Sequence, residues 1–339
     1  MATPLEVWVA GFPSYYGGAD TELDHLIDLF RDFGVRVTLV PMFGCGERMK
    51  QTVLDRGCTI VPYRDDVFAG KTVISFCNGQ FLGKLPLITQ AGPPAKVIWF
   101  NCMTYMFPAE RTAHANGWID YFGFVSEYQE RYLAPEITKI APYRSFHYKP
   151  YFNFTRIAWV YREFGDTYRL GRISRDDGNK FAADTWRIFD RVLVPNHLKK
   201  KVFILGYGPN AARKIGTPPP GLDWMTWSGG AIPANQFYST IDTMIHKTGG
   251  SRESYCRVLI EAYAHGVVPI VESGYAFPEL VRHGETGYMT CDSDEMSYYA
   301  SHLAMHPQEH RRLAENGRRY LEETLVQPDR CWAGWQEVL

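Results

Sequence analysis

The chain has almost no net charge: 36 lysines and arginines stand against 37 aspartates and glutamates, leaving −1 at neutral pH. Such a balance gives no whole-molecule attraction to nucleic acid or to an anionic membrane. No apolar run approaches the ~18 residues a spanning helix needs, so no membrane span is expected. Cysteine is sparse and odd in number, seven in 339 residues, at 45, 58, 77, 102, 256, 291 and 331. No pair has metal-ligand spacing, so the thiols read as reduced and mostly buried. Histidines form no His-Glu-x-x-His motif, and no Asp-x-Asp stands in a loop of the first half, so no essential metal is expected. Low-complexity tracts and short repeats are absent. The opening stretch MATPLEVWVAGF runs straight into a strand pattern without an apolar leader, which predicts a cytoplasmic protein.

What is present is enough apolar material, 45% of residues, for two cores. The length suits two domains. Leu5–Ala10 alternates as a first strand, and a loop through Gly11–Gly18 follows. Asp20 or Thr21 is expected to cap a helix carrying Leu23, Leu26, Ile27, Phe30 and Phe33 on one face. Val35–Val40 completes a β-loop-α-β unit, the opening of a doubly wound sheet. Strands are predicted at Thr72–Phe76, Lys96–Phe100 and Tyr121–Val125, the last leading into a Ser126 helix cap. The aromatic stretch 141–155 reads as a linker. A second series starts with a strand at Arg156–Tyr161 and a helix over Lys180–Val192. Strands at Lys201–Leu205, Met225–Trp227 and Thr243–His246 follow, with a short helix at Gln236–Thr240 before the last. Helical periodicity returns over 309–339. The predicted domains are 1–150, 151–322 and a terminal helix, 323–339.

The densest signal is RESYCRVLIEAYAHGVVPIVESGYAFPE, from Arg252 to Glu279. Glu253 and Glu261 are about two helical turns apart, so on one helix both carboxylates can face the same way. A helix starting near Ser254 would offer the N–H groups of Ser254, Tyr255 and Cys256 to an anion. Two glutamates at this spacing are by themselves an ordinary solvated face. The strand VVPIV and the Phe-Pro-Glu turn after it set this pair apart, although Glu279 itself reads as structural.

With Glu253, Glu261-Ala262, Gly266 to Ile270, Ser273-Gly274, Pro278-Glu279 and Gly284 to Tyr288, the segment resembles the donor-site signature of retaining GT-B glycosyltransferases. The resemblance is to the glycogen-synthase and sucrose-synthase type, glycosyltransferase family 4. It implies an α/β fold of two Rossmann-like domains facing across a cleft, with a C-terminal helix crossing back to the first. The first domain would take the acceptor and the second the nucleotide sugar. The Gly171-Arg172 to Lys180 stretch resembles the family element in which an Arg and a Lys hold the leaving diphosphate. That implies Arg172 and Lys180, with Arg175 as competitor. Two cations there would neutralise charge developing on the leaving group.

By the same resemblance Glu253 would contact the donor sugar and Glu261 the ribose. Gly17 and Gly18 match the family's first glycine loop, and Gly206 and Gly208 match its turn near the base. Residues Trp224 to Gly229 fall beside the base. Asn101 stands where many members carry a His or Asp on the acceptor side. His114, in the polar stretch ERTAHANG, reads as a surface residue. Acceptor choice is expected in loops 42–50, 78–94 and 102–118.

The activity implied is hexosyl transfer with retention, from a UDP- or GDP-sugar as co-substrate, with no tightly bound cofactor. The acceptor would be a glycan, a lipid-linked or a small molecule. Two other classes compete: a virus-type glycosyltransferase acting on hydroxylated DNA bases, against which the neutral charge argues, and a non-catalytic nucleotide-sugar binder. The nonhydrolysing epimerases of the same fold are set aside, because their acidic and histidine pattern is missing from the first domain.

Overall fold

The computed structural model describes residues 5–14, 17–42 and 44–339. Contacts divide the chain into two compact units, one formed by 1–153 with 326–339, the other by 154–325.

The first unit alternates strands and helices in chain order. They are β1 (Glu6–Ala10), α1 (Gly18–Asp32), β2 (Arg36–Val40), α2 (Glu47–Asp55), β3 (Thr59–Ile60), β4 (Thr72–Phe76), α3 (Gly79–Ala91), β5 (Lys96–Phe100), α4 (Pro108–Ala115), β6 (Tyr121–Phe124), α5 (Glu127–Thr138) and β7 (Ser145–His147). Its sheet is parallel throughout, in the order β3-β2-β1-β4-β5-β6-β7. Both faces of such a sheet are covered, so β4 and β5 read as nearly continuous apolar runs rather than alternating ones.

The second unit continues with β8 (Thr167–Ile173), α6 (Thr185–Asp190), β9 (Lys199–Leu205), α7 (Pro209–Ile215), β10 (Asp223–Trp227), α8 (Ala234–Tyr238) and β11 (Thr243–His246). Then come α9 (Arg257–Ala264), β12 (Val268–Glu272), α10 (Phe277–Leu280), β13 (Tyr288–Thr290), α11 (Ser293–Met305) and α12 (Pro307–Tyr320). Its parallel sheet runs β10-β9-β8-β11-β12-β13. A π turn at Leu321–Leu325 ends the unit. The chain then rejoins the first unit, where α13 (Pro328–Gln336) sets Trp332 and Trp335 into the core. Trp335 meets Phe30 edge-on at 4.9 Å between ring centroids, and Trp332 stacks on Phe33 at 4.9 Å.

Several expectations need correction. Helix α1 starts at Gly18 with Gly17 as its cap, and Asp20 falls in the first turn. The expected strand at Arg156–Tyr161 is irregular. Two β-like runs compete there; the sheet takes the second, whose Tyr168 and Leu170 are wholly buried, while Val160 is 84% exposed. The expected helix over Lys180–Val192 shrinks to a 3-10 turn, Gly178–Lys180, and α6. The linker 141–155 contains edge strand β7. The stretches read as acceptor loops hold α2, α3 and α4. In α3 an interior Pro86 disguised the helical period. His114 is buried, its Nε2 within 3.2 Å of the Ile137 and Ala141 carbonyls.

Candidate functional site

The second sheet reverses its strand order between β8 and β11. In doubly wound folds such a reversal leaves a crevice at the carboxyl ends of the two strands, fed by the loops that follow them. Here those loops deliver Lys180 and Glu253. Lys180 Nζ donates to Glu253 Oε1 at 2.7 Å, with the two side chains 19% and 12% exposed. The pair is partly withdrawn from water, where charges act more strongly on each other than at the surface.

Arg172 lies behind it, near the end of β8, and is fully buried. Its Nη1 donates to the Ile173 carbonyl at 2.6 Å and to His246 Nδ1 at 2.7 Å; Nη2 donates to the Lys180 carbonyl at 2.5 Å. Its Nε–H is buried without a partner. This differs from the open cation expected beside Lys180. Arg172 spends its donors within the protein, on the end of β8, on His246 and on the turn that carries Lys180.

An arginine always donates, so His246 Nδ1 accepts and the imidazole proton sits on Nε2. That atom lies 3.9 Å from Glu253 Oε1 and 3.7 Å from Cys256 Sγ. Burial, then the charges of Arg172 and Lys180, hold His246 well below the usual histidine range, so it is neutral. Burial, then Glu253, pushes the Cys256 thiol well above its usual range.

The two loops are tied together by backbone. Gly249 and Ser251 N–H groups both donate to the Asn179 carbonyl, at 2.9 and 3.0 Å. A Cβ at Gly249 would stand 1.9 Å from the Phe181 carbonyl oxygen, so only glycine allows this approach. The Thr248 N–H donates to Glu272 Oε1 at 2.6 Å, and the Glu253 carbonyl accepts from Ala276 N at 3.2 Å. Glu253 is thus held at its backbone by Ala276 and at its carboxylate by Lys180.

Helix α9 begins at Arg257 with Cys256 as its cap, three residues later than expected. Glu253 and Glu261 therefore do not share a helix face. Ser254, Tyr255 and Cys256 form the turn between them. Glu261 sits on α9, where Tyr238 Oη donates to its Oε2 at 3.0 Å and Arg257 Nε lies 3.9 Å from Oε1. Burial pushes the Glu261 carboxyl up, and Arg257 and Tyr238 oppose that.

The remaining expected residues are placed differently. Gly206, at φ 96°, lets the turn after β9 press on the loop after β8: a Cβ there would stand 1.8 Å from the Ser174 carbonyl oxygen. A Cβ on Gly208 would meet Asp176 Oδ2 at 2.5 Å, and the Asp176 carboxylate already accepts from Ala211 N at 2.8 Å in the first turn of α7. Gly17 and Gly18 begin α1 in the first unit. Arg175 is exposed and 3.5 Å from Asp177. Trp224 is half exposed on β10, while Trp227 stacks on Phe203. Asn101 is buried and fully engaged, donating to the Tyr105 carbonyl and Glu110 Oε2 and accepting from Met103 N. Its side chain organises its own loop. Among the described residues no group of three or more His, Cys, Asp and Glu side chains could hold a metal ion, and no helix is long and apolar enough to cross a membrane.

Sequence reasoning missed His246, Tyr238 and Glu272. A histidine closing the apolar strand Thr243–His246 was the available signal for the first.

Residues 168–305 match the family model described as glycosyl transferases group 1. No curated protein matches the chain in sequence. Among solved structures, the fold is similar to Anabaena Alr3699/HepE in complex with UDP-glucose, at 14% identity and a TM-score of 0.68, over 99% of this chain and 100% of that one. It is similar to sucrose-phosphate synthase from Thermosynechococcus elongatus, at 13% and 0.70, over 98% of each chain. It is also similar to a mutant of S. aureus TarM in complex with Fondaparinux, alpha-GlcNAc-glycerol and UDP, at 8% and 0.73, over 98% and 99%. At such identities the likeness establishes the fold, the GT-B architecture of two Rossmann-like domains.

Proposed function

We propose that this chain is a group 1 glycosyltransferase that moves a hexose from a nucleoside-diphosphate sugar to an acceptor hydroxyl with retention of configuration. The observation that carries the reading is the Lys180–Glu253 pair at the β8/β11 reversal, inside the segment that matches the family model. HepE bound to UDP-glucose has the same fold and supports a UDP-sugar as donor.

The unit of residues 154–325 takes the donor in this reading, and the first unit takes the acceptor. Lys180 shifts part of its charge from Glu253 to the diphosphate, where negative charge grows as the glycosidic bond breaks. Arg172 keeps the Lys180 turn in place through the Lys180 carbonyl and adds a positive field from behind. Glu253, partly released, accepts hydrogen bonds from sugar hydroxyls, and Glu261 accepts from the ribose. The acceptor hydroxyl attacks on the face the diphosphate leaves, and the departing phosphate takes its proton. No side chain serves as nucleophile, and the protein supplies no metal.

The test is turnover of a panel of UDP- and GDP-sugars, followed as nucleoside diphosphate released with and without candidate acceptors, in buffer and in excess chelator. Proton NMR of the product gives the anomeric configuration. Release with any donor and an anomer matching that donor supports the reading. Binding without release would make the chain a nucleotide-sugar binder, and an inverted product would remove retention.

A further inference from the structure

Cys77 directly follows β4, and Cys102 stands two residues beyond the end of β5. These strands are parallel neighbours, with Phe76 paired to Phe100. Cys77 N–H donates to the Phe100 carbonyl at 2.8 Å. In return Cys102 N–H donates to Cys77 Sγ at 3.0 Å, so the sulfur of one cysteine rests against the backbone of the other. Carried one residue on, the Phe76–Phe100 register sets Cys77 opposite Asn101, with Cys102 the next residue; a strand spacing of about 4.8 Å and a rise of about 3.3 Å per residue give roughly 6 Å, inside the Cα separation of about 4.4–6.8 Å that a disulfide spans.

Cys77 also has φ 48°, one of two left-handed non-glycine residues among those described. That conformation is unfavourable for a residue with a side chain and persists only where the surroundings impose it. Here it accompanies the contact between its sulfur and the Cys102 backbone. The Cys77 side of the pair is reachable, for it lines a cavity of about 620 Å³ with Phe12, Ser14, Asp20, Arg48 and Asn78.

We propose that Cys77 and Cys102 form a reversible oxidation site, closing to a disulfide on exposure to a hydroperoxide. Cys77, which reaches the cavity, attacks first. Its sulfur takes one oxygen of hydrogen peroxide as the O–O bond breaks, leaving Cys77 as a sulfenic acid and releasing water. The Cys102 sulfur then attacks the Cys77 sulfur. The S–S bond forms, and the departing hydroxide takes the Cys102 proton as a second water. Two thiols lose two electrons and two protons, and one peroxide becomes two waters. A hydrogen bond with the Cys77 thiol, then burial, push the Cys102 thiol well above its ordinary range, which suits it to resolve rather than to initiate. The bond would join the Asn78 cap of α3 to the segment after β5.

The proposal is independent of sugar transfer, and its test needs no activity. The reduced full-length chain is titrated with hydrogen peroxide, quenched with an alkylating agent and digested with trypsin without reduction. Peptides 72–84 and 97–111 should appear joined, two hydrogens lighter than their sum, and separate again with dithiothreitol. This should happen before the exposed Cys291 is oxidised. In C102S the Cys77 sulfenic acid should persist and react with dimedone. Linkage of Cys77 to Cys45, which lines the same cavity, would overturn the pairing. Both thiols remaining alkylatable after Cys291 is oxidised, or no dimedone adduct in C102S, would overturn the site.

Discussion

In the proposed transfer, Lys180 is the residue on which the chemistry turns. Its ammonium, partly exposed and paired with Glu253, would in that reading donate to the leaving diphosphate. Lys180→Ala is expected to lower kcat/KM by about 10²–10³; turnover within twofold of the parent would assign the role elsewhere. Glu261→Ala is expected to weaken nucleoside-diphosphate binding by about 1.5–3 kcal/mol, the worth of a charge-assisted hydrogen bond, with calorimetry as the measurement. In the same reading His246 positions Arg172, through the hydrogen bond to its Nη1. His246→Ala leaves Arg172 Nη1 without that acceptor and should lower kcat more than it raises KM; His246→Asn, which restores an acceptor, should recover part of the rate. Equal losses in both variants would reduce His246 to packing. At this scale the dense motif drew attention to Lys180, Glu253 and Glu261; the structure pairs the first two and sets Glu261 apart on α9. It was not legible for His246, whose role depends on a β8–β11 pairing that no local pattern announces, nor for Asn101, whose carboxamide turned inward to Glu110.

At the scale of elements, strands such as Thr72–Phe76 and Lys96–Phe100 stood out because buried parallel strands are apolar along their whole length. Helix starts did so only where a side chain caps, as at Ser126, whose hydroxyl accepts from Gln129 N at the head of α5; a glycine or cysteine cap leaves no side-chain signature, as at Gly17 and Cys256. Helix α4 carries its own test. Glu110, fully buried in its first turn, accepts from Trp99 Nε1, Asn101 Nδ2 and Phe107 N. Burial raises its pKa from 4.5 to about 7, against the lowering effect of those hydrogen bonds. Below pH 4.5 folded and unfolded chains both hold the proton; between 4.5 and about 7 only the folded chain does. Stability should therefore fall as pH rises through that window, by on the order of 3 kcal/mol in all. Glu110→Gln, which cannot ionise, should flatten the decline. Thermal melts from pH 5 to 8 that run parallel in the two proteins would refute this.

At the scale of the whole molecule, two tandem β/α series were readable from the alternation of strand and helix patterns, and each folds as its own sheet. Trp335 ties the chain's last helix to its first: it is fully buried against Phe30, Phe100, Phe146 and Tyr148. Trp335→Ala should cost the first unit about 3–5 kcal/mol and leave the second intact. Limited proteolysis should then cut within residues 5–153 while the 154–325 fragment survives; equal resistance in both proteins would show that α13 is dispensable. The same topology sets an order of events during synthesis. A ribosome delivers residues 5–153 first, yet their core still lacks Trp332 and Trp335, whereas the unit of residues 154–325 has its whole sheet before α13 is made. Residues 154–325 are therefore expected to mature before residues 5–153, whose core waits, partly unsealed, for α13 to emerge.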